Sequence, residues 1–114
     1  MLLHELVETS RQVAATSSRL AKIELLAELL KRAAPEEIET AIAFLSGSVR
    51  QAKVGVGYAT LQAARPDCAA DAPTLTLADV EAMLERLPGV AGKGSGKAKE
   101  QLLRELLARA TRDE

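Results

Sequence analysis

The stretch Thr16-Ser-Ser-Arg-Leu-Ala-Lys-Ile-Glu-Leu-Leu-Ala-Glu-Leu-Leu-Lys-Arg-Ala-Ala-Pro35 decides the fold class. Three hydroxyl residues stand directly before a run in which Leu20, Ile23, Leu26, Ala27, Leu30 and Ala34 recur at intervals of three and four. That is the period of an α-helix, and a Ser or Thr just ahead of it can accept one of the N–H groups that the first turn leaves without a partner. Pro35 follows where a first helical turn tolerates proline, and Glu36 and Glu37 suit the positive end of a helix dipole. Ile38, Ile42 and Leu45 then predict the apolar face of a further helix, ended at Gly47.

Working outward, Leu2, Leu3, Leu6 and Val7 predict a short helix from Leu2 to about Thr9. Gly47 to Gly57 has no helical stripe and carries Gly55 and Gly57 one residue apart, which points to an irregular turn. A short helix is expected from Tyr58 to Ala64, then a mobile loop from Arg65 to Thr74. Thr76-Leu-Ala-Asp79 has the form of a capping box, and Leu77, Val80, Leu84 and Leu87 carry the next helix to Pro88-Gly89. The last segment opens with Gly92-Lys-Gly-Ser-Gly-Lys97 and continues through Ala98, Leu102, Leu103, Leu106, Leu107 and Ala110.

The apolar residues are mainly 21 Ala and 18 Leu against seven Val and three Ile, a balance that excludes a β-sandwich or barrel. At 114 residues there is room for one core. The expected architecture is all-α, a single compact domain of about six helices with no sheet. A lone cysteine, Cys68, forms no internal disulfide, and one His with one Cys excludes a structural zinc site. No apolar run approaches the roughly 18 residues of a membrane span, and Glu5 falls where a secretory leader is basic, so a cytoplasmic protein is expected.

The net charge of -1 hides a segregated distribution. Ser10 to Ile23 holds Arg11, Arg19 and Lys22 and no acid. Ser46 to Pro66 holds Arg50, Lys53 and Arg65 and no acid, and Leu87 to Lys99 holds Lys93, Lys97 and Lys99 and no acid. If these stretches share a surface, a near-neutral chain acquires a positive face suited to a polyanion. The simpler alternative is a helical protein whose loops are basic.

The glycine-rich Gly92–Lys97 segment is not a nucleotide-binding P-loop: Ala91 stands where the first glycine belongs, Ala98 follows Lys97, and no strand precedes it. What survives is a physical oddity. Lys97 and Lys99, like Arg19 and Lys22, sit at a helix start, where a cation is unfavourable by about 0.3–1 kcal/mol. Open N–H groups, permissive glycines and surplus lysines together suit an external phosphate. No catalytic constellation stands out: His4 lies on an amphipathic helix, Cys68 has no base near it in sequence, and Phe44 and Tyr58 make no base-stacking platform. Contact with a duplex backbone fits better than base reading.

Three motifs, in this order, carry a resemblance: Thr16-Ser-Ser-Arg-Leu-Ala-Lys22 opening a Leu-rich helix, Phe44-Leu-Ser-Gly47 leading to Lys53-Val-Gly-Val-Gly57, and Leu87-Pro-Gly-Val-Ala-Gly-Lys-Gly-Ser-Gly-Lys-Ala-Lys99. With these intervals the whole chain resembles the N-terminal DNA-binding domain of ATP-dependent DNA ligases, of the actinobacterial type among bacteria. The resemblance implies an all-helical domain that grips nicked duplex DNA across the minor groove through its phosphate backbone. It implies one contact at Thr16, Ser17, Arg19 and Lys22, a second at Lys53, Gly55 and Gly57, and a third at Gly92, Lys93, Gly94, Ser95, Lys97 and Lys99.

Such ligases continue with a second Phe-Leu…Gly-Leu-Arg-x-Gly turn, and this chain stops before one, at Arg112-Asp-Glu114. Residues 1–114 are therefore expected to be the DNA-binding domain, truncated at its C-terminal end, with apolar positions of the last helix left uncovered. The catalytic nucleotidyltransferase and OB-fold domains would lie outside it. ATP and Mg2+ are implied for the parent only, and no Lys-x-Asp-Gly nucleotidyltransferase motif occurs here. The expected partners are nicked double-stranded DNA and the catalytic domains of the same polypeptide. The expected setting is DNA repair, replication or recombination, with a monomer that is cytoplasmic, nucleoid-associated when bound, and clear of membranes. The competing expectation is a helical adaptor whose Leu-rich faces dock a protein.

Overall fold

The computed structural model describes residues 1–49 and 55–114. Among them are six α-helices: α1 (Leu3–Ala15), α2 (Arg19–Arg32), α3 (Ile38–Leu45), α4 (Tyr58–Ala64), α5 (Leu77–Arg86) and α6 (Ser95–Ala108). Short 3-10 turns at Pro35–Glu37 and Leu87–Gly89 lead into α3 and out of α5. The body is elongated, 51 × 29 × 23 Å. No described helix is long and apolar enough to cross a membrane.

The helices begin and end where side chains or glycines can serve the backbone. Ser18 accepts from Ala21 N–H at 3.2 Å and starts α2. Gly47, at φ 75°, closes α3: its N–H bonds the Phe44 carbonyl, while Ser48 N–H bonds that of Ala43. That pairing is a Schellman motif, which satisfies two carbonyls that α3 leaves open. Thr76 and Asp79 exchange bonds at the head of α5, with Thr76 N–H donating to Asp79 at 2.9 Å and Asp79 N–H to the Thr76 hydroxyl at 3.1 Å.

The first residues of the chain dock against that same cap. Leu3 N–H bonds Leu75 O at 2.8 Å and Leu77 N–H bonds Met1 O at 3.0 Å, an isolated antiparallel bridge rather than a strand. Two carboxylates reinforce the neighbourhood. Glu5 takes Leu2 N–H and reaches Arg32 at the end of α2, and Glu37 takes Ala34 N–H and the amino group of Met1.

Two small apolar clusters form the core. Leu6, Leu29, Ala41 and Leu77 make the first, with Phe44 and Leu45 against it. Ala64, Met83, Leu87 and Leu103 make the second, with Val56, Leu102 and Leu106 against it. Helix α5 contributes to both.

Several expected faces differ from those observed. Helix α1 runs on past Thr9 to Ala15, because Thr9 is itself buried and the half-buried Val13 continues the inward line from Leu6. On α2 the fully buried residue is Leu29, outside the predicted stripe, while Leu20 is 74% and Ile23 53% exposed. On α3 the polar Thr40 and small Ala41 face inward, leaving Ile38 and Ile42 exposed. Among the described helices, uncovered apolar surface therefore lies on α2, α3 and α4 rather than on the last helix, where Leu103 is buried and Leu102, Leu106 and Leu107 pack against the second cluster. The 65–74 loop is fastened at its middle, since Ala70 N–H bonds Ala110 O at 2.9 Å.

The carboxyl of Glu37 is held below the usual range by the chain's amino group and by Ala34 N–H. Thr76 N–H is the main cause of the same shift at Asp79, with Arg109 contributing. A carboxyl whose folded pKa is lowered stabilises the fold above its unfolded value, about 4, and that contribution disappears as pH falls through the folded value. Urea midpoints should therefore fall as pH drops below about 4. The Asp79→Asn variant should show a shallower decline, because one of the two protonation steps has been removed.

Candidate nucleic-acid interface

The turn that launches α6 is built on left-handed glycines. Gly92 has φ 91° and Gly94 φ 82°, a region that costs a side-chain-bearing residue about 1–2 kcal/mol. With Gly94 as its N-cap the helix starts without a side-chain cap. Ser95 N–H bonds back to Gly92 O at 3.2 Å and Ala98 N–H to Gly94 O at 3.2 Å. The N–H groups of Gly96 and Lys97 find no acceptor among the described residues, so they point partial positive charge outward beside the exposed Lys93 and Lys97 side chains.

Lys99 ties this turn to a second one. Its ammonium donates to the carbonyl of Gly55 at 3.0 Å, across 44 positions of sequence. Gly55 has φ 74°, a left-handed conformation that favours glycine, and an added Cβ would stand 3.0 Å from the Lys99 nitrogen, the movable end of a flexible side chain. The two turns flank an open cleft of about 430 Å³ lined by Gly55, Pro88, Val90, Gly92, Ser95 and Lys99. Further along α6, Arg104 donates to Ala63 O at 2.8 Å and Arg109 to Asp79 at 3.1 Å. Basic residues five apart on one helix thus tether α4, the turn before it, and the head of α5.

The structure brings Gly55, Gly92, Ser95 and Lys99 together, with Lys93, Gly94 and Lys97 on the same turn. Gly57 stands beside them as the N-cap of α4, in extended backbone and with open space where a side chain would be. Lys53 lies outside the described residues. Thr16, Ser17, Arg19 and Lys22 form a separate patch at the start of α2, and no described bond joins it to the cleft. There the cap is Ser18, while the Thr16 hydroxyl accepts from Ser18 N–H at 3.2 Å and keeps its own proton available to donate. In sequence Lys99 is one of several surplus lysines at a helix start. Its bond to Gly55 is visible only once the turns are side by side, because nothing in the local pattern marks a partner so far away.

The charge distribution of the folded chain sharpens the contrast. Arg11, Lys31, Arg32, Arg104 and Arg109 are in ion pairs with carboxylates. None of Arg19, Lys22, Lys93, Lys97 and Lys99 is, among the described residues; Arg65, Arg86 and Arg112 share that freedom. No group of three or more His, Cys, Asp or Glu among the described residues converges to hold a metal ion. His4 is half-buried on α1 and Cys68 is exposed in the loop.

Comparison with known proteins points one way. Over 114 residues the chain is 50% identical to a protein of Pseudarthrobacter chlorophenolicus named probable DNA ligase, matching all of this chain and 22% of the relative. It is 45% identical over 111 residues to a protein of the same name in Saccharopolyspora erythraea, covering 97% of this chain and 22% of the relative. A third, from an Anaeromyxobacter strain, is 47% identical over 115 residues, with 100% and 22% covered. The chain thus spans about a fifth of the length of these relatives, and the resemblance to bacterial DNA ligases read from its motifs extends along its whole length. No family model matches the chain, and no solved structure does.

The glycines of the α6 turn should respond to substitution with opposite signs. Gly94→Ala meets open space, so its left-handed φ alone should lower stability by about 1–2 kcal/mol. Gly96→Ala, in the first turn of the helix with ordinary φ and open space, should raise stability by about 0.5–1 kcal/mol. Urea unfolding of the two variants checks both signs.

Proposed function

We propose, from kinship over the whole chain with bacterial proteins named probable DNA ligase, that these residues are the duplex-gripping module of a longer ligase. The module holds nicked double-stranded DNA from the minor-groove side by its phosphate backbone. It presents the 5′-phosphate and 3′-hydroxyl of the break to catalytic domains elsewhere in the polypeptide, where ATP and Mg2+ would be used. Its contribution to sealing, in repair, replication or recombination, is positioning and effective concentration rather than bond chemistry.

The observation that carries this reading is the cleft where Lys99 clasps Gly55. Two acid-free stretches far apart in sequence meet there, and the uncapped start of α6 sits beside Lys93 and Lys97. Phosphate oxygens suit such a place. They accept from open N–H groups, they are drawn to unpaired ammonium groups, and glycines let a backbone approach closely. The Thr16–Lys22 patch offers a second strand of contacts of the same kind. Because backbone contacts position without reading bases, sequence preference should be weak.

The adaptor reading has its own observation, an apolar groove lined by Val13, Leu26, Leu30, Ile42 and Leu45 between α1, α2 and α3. The two readings separate on salt. With about four to six phosphates neutralised, log affinity for a duplex should fall with log salt at roughly -0.9 per contact, while a protein docked in an apolar groove should barely respond. Fluorescence anisotropy with nicked and intact duplexes across a salt series makes the measurement. The Lys93→Ala/Lys97→Ala variant should flatten the slope by up to about two units with helicity unchanged. An unchanged slope would remove the α6 turn from the interface, and no binding at low salt would sink the duplex reading.

A further inference from the structure

The chain has two aromatic residues, and the fold treats them in opposite ways. Phe44 packs against the first core cluster. Tyr58, the one tyrosine, is 77% exposed, more than any other large apolar side chain among the described residues. Its helix turns Ala64 inward, and Leu61, one turn on from Tyr58, is 41% exposed. Residues three apart lie on one helix face, so α4 presents an outward strip of ring and leucine. The Tyr58 hydroxyl has no hydrogen-bond partner among the described residues.

A single exposed apolar side chain needs no explanation by itself. Position is what distinguishes Tyr58. It is the first residue of α4, three places after Gly55, whose carbonyl is held by Lys99 at the mouth of the cationic cleft. The cleft's lining ends at Gly55 on this segment, so the exposed ring stands three residues from its edge. The minor groove of a duplex is walled by deoxyribose rings, whose carbon faces are apolar, and rimmed by phosphates. A tyrosine has the matching form, a flat apolar body with one polar tip.

We propose that Tyr58 packs its ring on a deoxyribose of the bound duplex, with its hydroxyl donating to an adjoining phosphate and Leu61 widening the apolar contact. This rests on the duplex reading above and adds a different kind of contact to it. Ammonium groups release counterions and set the salt slope, whereas a ring on a sugar releases none. Tyr58 therefore supplies affinity that salt does not remove.

The test uses the 114-residue chain and a nicked duplex in two measurements. In a salt series, Tyr58→Ala should lower affinity about tenfold at every salt concentration, a parallel displacement of the line that lysine replacement does not produce. Tyr58→Phe should recover most of that loss, since the ring remains. With tyrosine carrying 13C in its ring, the single ring signal of the unsubstituted chain should move on adding duplex, which requires no variant. Duplex binding with an unmoved ring signal, or with unchanged affinity in a Tyr58→Ala variant of normal helicity, overturns the inference and leaves the duplex reading standing. A variant line that changes slope instead of shifting in parallel overturns it as well. Absence of binding by the unsubstituted chain overturns both.

Discussion

The two apolar clusters are held in one body by α5. Its first residue, Leu77, is buried with Leu6, Leu29 and Ala41, while Met83 and then Leu87, just past its end, are buried with Ala64 and Leu103. Neither cluster is large, and a small domain has little stability to spare. The cap at Thr76 and Asp79 therefore does more than start a helix. It receives the first residues of the chain on one side and Arg109 from the end of α6 on the other. The α2 patch stands at the opposite end of its helix from Leu29, the residue that α2 buries in the first cluster, whereas the cationic cleft lies on the turn into α6, which buries Leu103 in the second.

Local chemistry was legible in the sequence wherever it is decided within a few residues. The cap at Ser18, the close at Gly47, the box at Thr76-Leu-Ala-Asp79 and the limits of α4 all stand where propensity and capping put them. Which face of each helix turns inward was less legible. On α3 the isoleucines define the apolar stripe, yet close approach to Leu29 and Leu77 favours the small Ala41, and the isoleucines are left outside. On α1 the buried Thr9 breaks the apolar pattern without breaking the helix. The charge segregation marks the basic stretches, but only the fold brings Gly55 to Lys99.

The start of α6 concentrates features that work against folding. It has no side-chain cap, lysines stand near the positive end of the dipole, and two glycines are held in left-handed backbone. Each of these is unfavourable for an isolated helix, and each favours an anion arriving from outside. Stability is supplied instead further along the same helix, where Leu103 is buried and Arg104 and Arg109 reach across to neighbouring segments. The division lets one end stay open while the rest of α6 is anchored.

The elongated outline carries a consequence for how the molecule would occupy DNA. Its long axis of 51 Å, laid along a duplex rising 3.4 Å per base pair, covers about fifteen base pairs, or roughly one and a half turns. Under the duplex reading proposed above, copies in that orientation on one face of the duplex could sit no closer than this footprint. A shorter oligonucleotide would leave one end of the body hanging in solvent. Length of substrate, rather than its sequence, would then set how much of the positive surface finds a phosphate.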